Sequence, residues 1–230
     1  MKHFIQIAGV KDAAEARLLI ECGVRYIGFP LRLTVHREGL SEEEAAAIIR
    51  SLQPPTQGVL ITYLHDAIEI SYFCQQLGTS IVQLHGAITR AELSRLKTLA
   101  PHLSVIKSLI VRGDNLAELE ALVSELTPYV DAFITDTFDP ATRACGATGK
   151  VHDWTISRKL AELSPRPVIL AGGLNPANVQ AAIRAVCPAG VDVHTGVEDR
   201  SGRKSRPLVE AFVAEARAGF RALAEHKTLP

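Results

Sequence analysis

The chain has 230 residues, of which 47% are hydrophobic and 22% charged, enough apolar surface for a sizeable core. Twenty-five Lys and Arg balance twenty-five Asp and Glu with no long run of either sign, which argues against a nucleic-acid track or an anionic membrane face. Attraction for an anionic ligand therefore has to be local. Cys22, Cys74, Cys145 and Cys187 are scattered, with no C-x-x-C pair and no Cys/His cluster; a disulfide framework and structural zinc are disfavoured, and a reduced, cytoplasmic setting is expected.

In chain order, the opening stretch MKHFIQIAGVKD has too short an apolar run for a signal-peptide core. Nor does any later segment approach the roughly 18 uninterrupted apolar residues of a membrane span. Strand-like runs are FIQIAG from Phe4, VRYIGF from Val24, GVLITY from Gly58, SIVQLH from Ser80, SVIKSLI from Ser104, DAFITD from Asp131, PVILAG from Pro167 and VDVHTG from Val191. Helical periodicity follows each: 12–21, 41–52, 66–77, 89–99, 116–126, 154–163, 175–185 and 207–224. Ser41 stands three residues before Glu44 at capping-box spacing, Asp12 and Asn175 are N-cap candidates, and glycine follows Cys22 and Leu77 where helices should stop. Eight strand–helix units without a linker predict an α/β fold, a single (β/α)₈ TIM-barrel domain over residues 1–230; the alternative is an open doubly wound sheet.

Barrels place their chemistry at the C-terminal ends of the strands, often with phosphate between the loops after strands seven and eight. At those positions the sequence has Leu170-Ala171-Gly172-Gly173-Leu174-Asn175-Pro176 and Asp192-Val193-His194-Thr195-Gly196-Val197-Glu198. Gly172, Gly173 and Gly196 allow backbone N–H groups to turn toward a ligand, with a helix N-terminus just beyond. A phosphorylated, sugar-like small molecule is the expected partner. Asp136, closing strand six, is a candidate acid, although an aspartate there could also cap the next turn.

AGGLNPANV from Ala171, GVDVHTGVED from Gly190, VQLHG from Val82, FITDT from Phe133 and GATGKVHDW from Gly146 together resemble the signature blocks of phosphoribosylanthranilate isomerase, in the same order and over nearly the whole chain. The resemblance implies a (β/α)₈ barrel and an Amadori rearrangement of a phosphoribosyl amine, relevant to tryptophan biosynthesis. One group protonates the sugar's ring oxygen and another removes the proton from the adjacent carbon. It assigns the acid to Asp136. It assigns the base to a cysteine in a K-I-C-G block, where this chain reads Gln6-Ile7-Ala8-Gly9.

Other departures cluster around the organic half of the substrate. Where the family has serine-proline-arginine, this chain has Leu33-Thr34-Val35-His36-Arg37-Glu38, leaving Arg37 or Arg32 to meet the anthranilate group. Strand three ends Thr62-Tyr63-Leu64-His65, and the serine of the eighth block is His194. Histidine is well suited to proton transfer near neutrality. His194 is accordingly the candidate replacement base, beside strand one; the alternative is that it bonds the phosphate or a loop carbonyl. Asp192, Lys107 and His85 match family positions and are candidate substrate contacts, His85 equally a packed core residue.

Three readings follow: a working isomerase of this type, a diverged paralogue acting as isomerase or lyase on another phosphorylated sugar, or a non-catalytic phospho-ligand binder. His65-Asp66 and His152-Asp153 lack a third ligand, so no metal and no cofactor is expected, and the family resemblance allows a monomer or a homodimer.

Overall fold

A computed structural model of the chain describes residues 3–33, 39–139, 144–145 and 153–226. Among these, eight parallel strands form the barrel: β1 Phe4–Ala8, β2 Tyr26–Pro30, β3 Gln57–Thr62, β4 Ile81–Leu84, β5 Ser104–Val111, β6 Ala132–Asp139, β7 Val168–Leu170 and β8 Gly190–Val193. Each pairs with the next, and β8 pairs back onto β1 in the register Phe4 with Gly190 through Ile7 with Val193. That last pairing closes the sheet and disposes of the open alternative. The helices α1 Ala13–Glu21, α2 Glu42–Ser51, α3 Ala67–Leu77, α4 Arg90–Leu99, α5 Leu116–Leu126, α6 Trp154–Leu163, α7 Val179–Val186 and α8 Arg206–His226 follow the strands in turn.

The strands read as continuous apolar runs because both their faces are buried. Phe4, Ala8, Val59, Ile61, Ile81, Ile106, Ala132, Ile134, Ile169 and Ala171 point inward and fill the barrel. Their neighbours one residue along, such as Ile7, Leu60, Val105, Phe133, Leu170 and Val193, pack outward against the helices. Some polar residues join the inner layer: Gln6 donates through Nε2 to Gln83 Oε1 at 2.9 Å, and Gln83 Nε2 lies 2.7 Å from His85 Nε2.

Capping follows the local sequence. Ser41 and Glu44 form the complete capping box, Asp12 accepts from the Glu15 N–H, and Gly78 ends α3 at φ 79°. Asn175 does not directly precede α7, which starts at Val179. It opens one turn earlier, accepting from the Ala177 N–H through Oδ1 while its own N–H donates to Asn178 Oδ1. An additional two-residue strand, Ala144–Cys145, runs antiparallel to the end of β6. Among the described residues no helix is long and apolar enough to cross a membrane.

Candidate active site

The C-terminal rim of β6, β7 and β8 carries an open cleft lined by Asp136, Ala171 to Leu174 and Asp192 to Gly196. Asp136 and Asp192 lie on strands whose side chains alternate, and both project into this space with little exposure. Burial pushes the Asp136 carboxyl up to about 7; the Thr137 N–H, donating to its Oδ1 at 2.8 Å, pulls the other way, and the charge of Asp192 adds to the rise. Burial likewise raises Asp192 to about 7, against the opposing pull of the Gln6 amide and the Lys204 ammonium. Among the described residues the buried Asp192 Oδ1 has no hydrogen-bond partner.

Opposite the acids, the backbone turns twice. Gly172 and Gly173 adopt φ of 94° and 62°, left-handed values that L side chains resist, and among the described residues their N–H groups enter no backbone hydrogen bond. A Cβ on Gly196 would lie 1.9 Å from the Leu174 carbonyl oxygen, so the turn after β8 sits directly on the turn after β7. Gly172, Gly173 and Gly196 therefore share one wall of the cleft that holds Asp136 and Asp192.

His194 is the residue after β8. With Gln6 level with Asp192 and Ile7 with Val193, the next step along the two strands brings Ala8 level with His194. Its imidazole reaches across the end of β1: a Cβ on Gly9 would lie 2.0 Å from Nε2. The same Nε2 is 3.5 Å from Glu198 Oε1. Lys204, whose side chain is fully buried, donates from Nζ to Glu198 Oε1 at 2.7 Å and to the His194 carbonyl at 2.9 Å.

Of the other expected site residues, the described ones, Lys107, His85 and Arg32, do not line this cleft. Lys107 is outside the lining of this cleft; its ammonium donates to the Leu84 and Ser108 carbonyls at 3.2 and 3.1 Å. His85 lies in the inner polar layer against Gln83, its ring 5.9 Å from that of Tyr63. Arg37 lies outside the described residues. Arg32, just past the C-terminal end of β2, is engaged by the first turns of α2 and α3: it meets Glu42 at 2.7 Å and Glu69 at 2.9 Å, with its guanidinium 3.9 Å over the Phe73 ring. Sequence reading assigned no role to Glu198 or Lys204. Glu198 stood inside a recognised block, but Lys204 belongs to Arg203-Lys204, which reads as solvated charge on a loop.

The family model for N-(5'phosphoribosyl)anthranilate (PRA) isomerase matches residues 5–215. N-(5'-phosphoribosyl)anthranilate isomerase 2 of Methanosarcina mazei is 38% identical over 220 residues, spanning 94% of this chain and 95% of that protein. Among solved structures, the N-(5'-phosphoribosyl)anthranilate isomerase of Pyrococcus furiosus superposes with a TM-score of 0.77 at 28% identity, over 94% of this chain and 99% of the other. A phosphoribosyl anthranilate isomerase in complex with reduced 1-(o-carboxyphenylamino)-1-deoxyribulose 5-phosphate has a TM-score of 0.77 at 25% identity, over 95% and 100%. Matches that run from β1 into α8 on the same closed barrel establish that this chain belongs to the N-(5'-phosphoribosyl)anthranilate isomerase family.

Proposed function

We propose that the chain catalyses the isomerisation for which its relatives are named, with Asp136 as general acid, His194 as general base, and the Gly172, Gly173 and Gly196 turns seating the substrate phosphate. The observation that carries this reading is a carboxyl raised to about 7 in the same cleft as the paired glycine turns. An acid that still holds its proton near neutrality can transfer it to the sugar's ring oxygen. The C1–O bond then breaks, its electron pair goes to that oxygen, and the nitrogen lone pair forms C=N. His194 next takes the C2 proton. The C–H electron pair becomes C1=C2, the C=N pair returns to nitrogen, and the enol amine tautomerises to the ketone.

Ala8 offers no proton acceptor, and His194 stands level with it from the adjacent strand. The phosphate needs donors rather than bulk positive charge, and the Gly172 and Gly173 N–H groups, which enter no backbone hydrogen bond among the described residues, support this reading. A second reading, isomerisation of another phosphorylated sugar, draws on Arg32, whose commitment to Glu42 and Glu69 leaves it unsuited to an anthranilate carboxylate.

The test is turnover of phosphoribosylanthranilate by the purified protein, followed by loss of its fluorescence. Asp136→Asn and His194→Ala should each lower kcat about 10²- to 10⁴-fold, and Ala8→Cys in the His194→Ala background should recover part of the loss. Absence of turnover by the native protein, together with failure to support a tryptophan-requiring strain, refutes the reading.

A further inference from the structure

We infer that Glu198 and Lys204 are positioning residues for His194, forming with it a relay in which a buried ammonium holds a carboxylate against the imidazole that removes the substrate proton. The inference rests on the reading of His194 as base and adds how that base is aimed and tuned.

The geometry is specific. Lys204 Nζ touches the His194 backbone through its carbonyl and the His194 side chain through Glu198, bridging the two with contacts of 2.9 and 2.7 Å. His194 has φ −114° and ψ −83°, outside the regular helix and strand regions, so its backbone needs an external restraint. The Lys204 side chain has no solvent exposure, and that of Glu198 only 14%. A buried ammonium is retained only when its partners offset the lost hydration, and here those partners are the two parts of one loop that fix a histidine.

The chemistry gives the pair a task. When His194 accepts a proton from carbon it becomes an imidazolium, and Glu198 Oε1, 3.5 Å from Nε2 at rest, is placed to close on the new charge. Lys204, 2.7 Å from the same carboxylate, offsets part of its field. Among the described residues, the charged groups near this histidine include Glu198 and Lys204 on its own loop and Asp192 and Asp136 in the same cleft, while Glu15 on α1 and Lys11 just before it pack against the Gly202–Lys204 stretch.

The experiment is a titration of the His194 imidazole by nuclear magnetic resonance, with and without Glu198→Gln, alongside the pH profile of kcat/KM. Glu198→Gln should lower the His194 midpoint by about one unit, move the acid limb of the profile with it, and lower kcat about tenfold with KM little changed. Since Glu198→Gln leaves Lys204 buried without its counter-ion, Glu198→Gln/Lys204→Met serves as the uncharged control, expected to show the same loss of kcat. An unmoved His194 midpoint together with native kcat in the double variant overturns the relay. The titration reports on the folded protein without turnover, so failure of the isomerase reading appears separately, as a shifted midpoint in a protein that does not convert phosphoribosylanthranilate.

Discussion

Gly196 illustrates how tightly the cleft is specified at the level of single residues. Its missing side chain lets the turn after β8 rest on the Leu174 carbonyl, where a Cβ would come within 1.9 Å of backbone oxygen. Gly196→Ala therefore has to part the two turns and misalign their N–H groups. A charge-assisted hydrogen bond contributes about 1.5–3 kcal/mol, so KM for phosphoribosylanthranilate should rise about 10- to 100-fold with the fold intact; an unchanged KM would show that the phosphate is held elsewhere. The glycines and Asp136 were legible in the sequence because strand-end positions and family blocks coincide there. His194 was legible for a topological reason, since closure makes the first and last strands neighbours. Its charged supports were not: nothing in Arg203-Lys204-Ser205 distinguishes a lysine that turns inward from one that faces water.

At the level of elements, Glu15 ties the first loop of the barrel to the last. It lies in the first turn of α1 yet is almost fully buried, accepting at Oε2 from the Lys11 N–H at 2.9 Å and at Oε1 from the Lys204 N–H at 3.0 Å. Arg203 Nε meets the same Oε1 at 2.9 Å, while its NH2 reaches Asp12 Oδ2 at 2.6 Å. Glu15→Ala strands two backbone donors and takes from Arg203 one of its two carboxylate partners, a loss on the order of 2–4 kcal/mol. The thermal midpoint should fall by roughly 5–10 °C, measurable by circular dichroism; a midpoint within a degree of the parent would mean the loops are held by other contacts. Strand and helix order was readable from periodicity, and the Ser41–Glu44 box from spacing alone. Ala144–Cys145 was not, because two residues cannot display a period and their pairing depends on a partner strand.

Across the whole molecule, the two buried carboxyls of the cleft make stability depend on pH. Asp136 and Asp192 hold their protons more tightly folded than unfolded, with values of about 7 against the ordinary carboxyl value of 3.8. Their contribution to stability is therefore fully present below about pH 4 and is lost as pH rises through 7. Asp192→Asn should melt higher than the native chain at pH 8, by on the order of 1–3 kcal/mol, with the gain shrinking toward pH 4. A native chain that out-melts the variant at pH 8 would contradict the assignment. The count of eight strand–helix units anticipated the barrel. Closure itself rests on contacts between Phe4–Ile7 and Gly190–Val193, nearly the full chain apart, which local patterns cannot encode.

The seam between β7 and β8 has a consequence of its own. These staves are stitched in register only at Ile169 with Gly190 and Leu170 with Val191, whereas β5 and β6 run together from Ile106 with Ala132 to Val111 with Thr137. The two glycine turns cap the ends of that short seam. On the proposed reading, a phosphate seated across them would act as a hoop on the least-laced edge of the cask, so filling the site would also tighten the barrel.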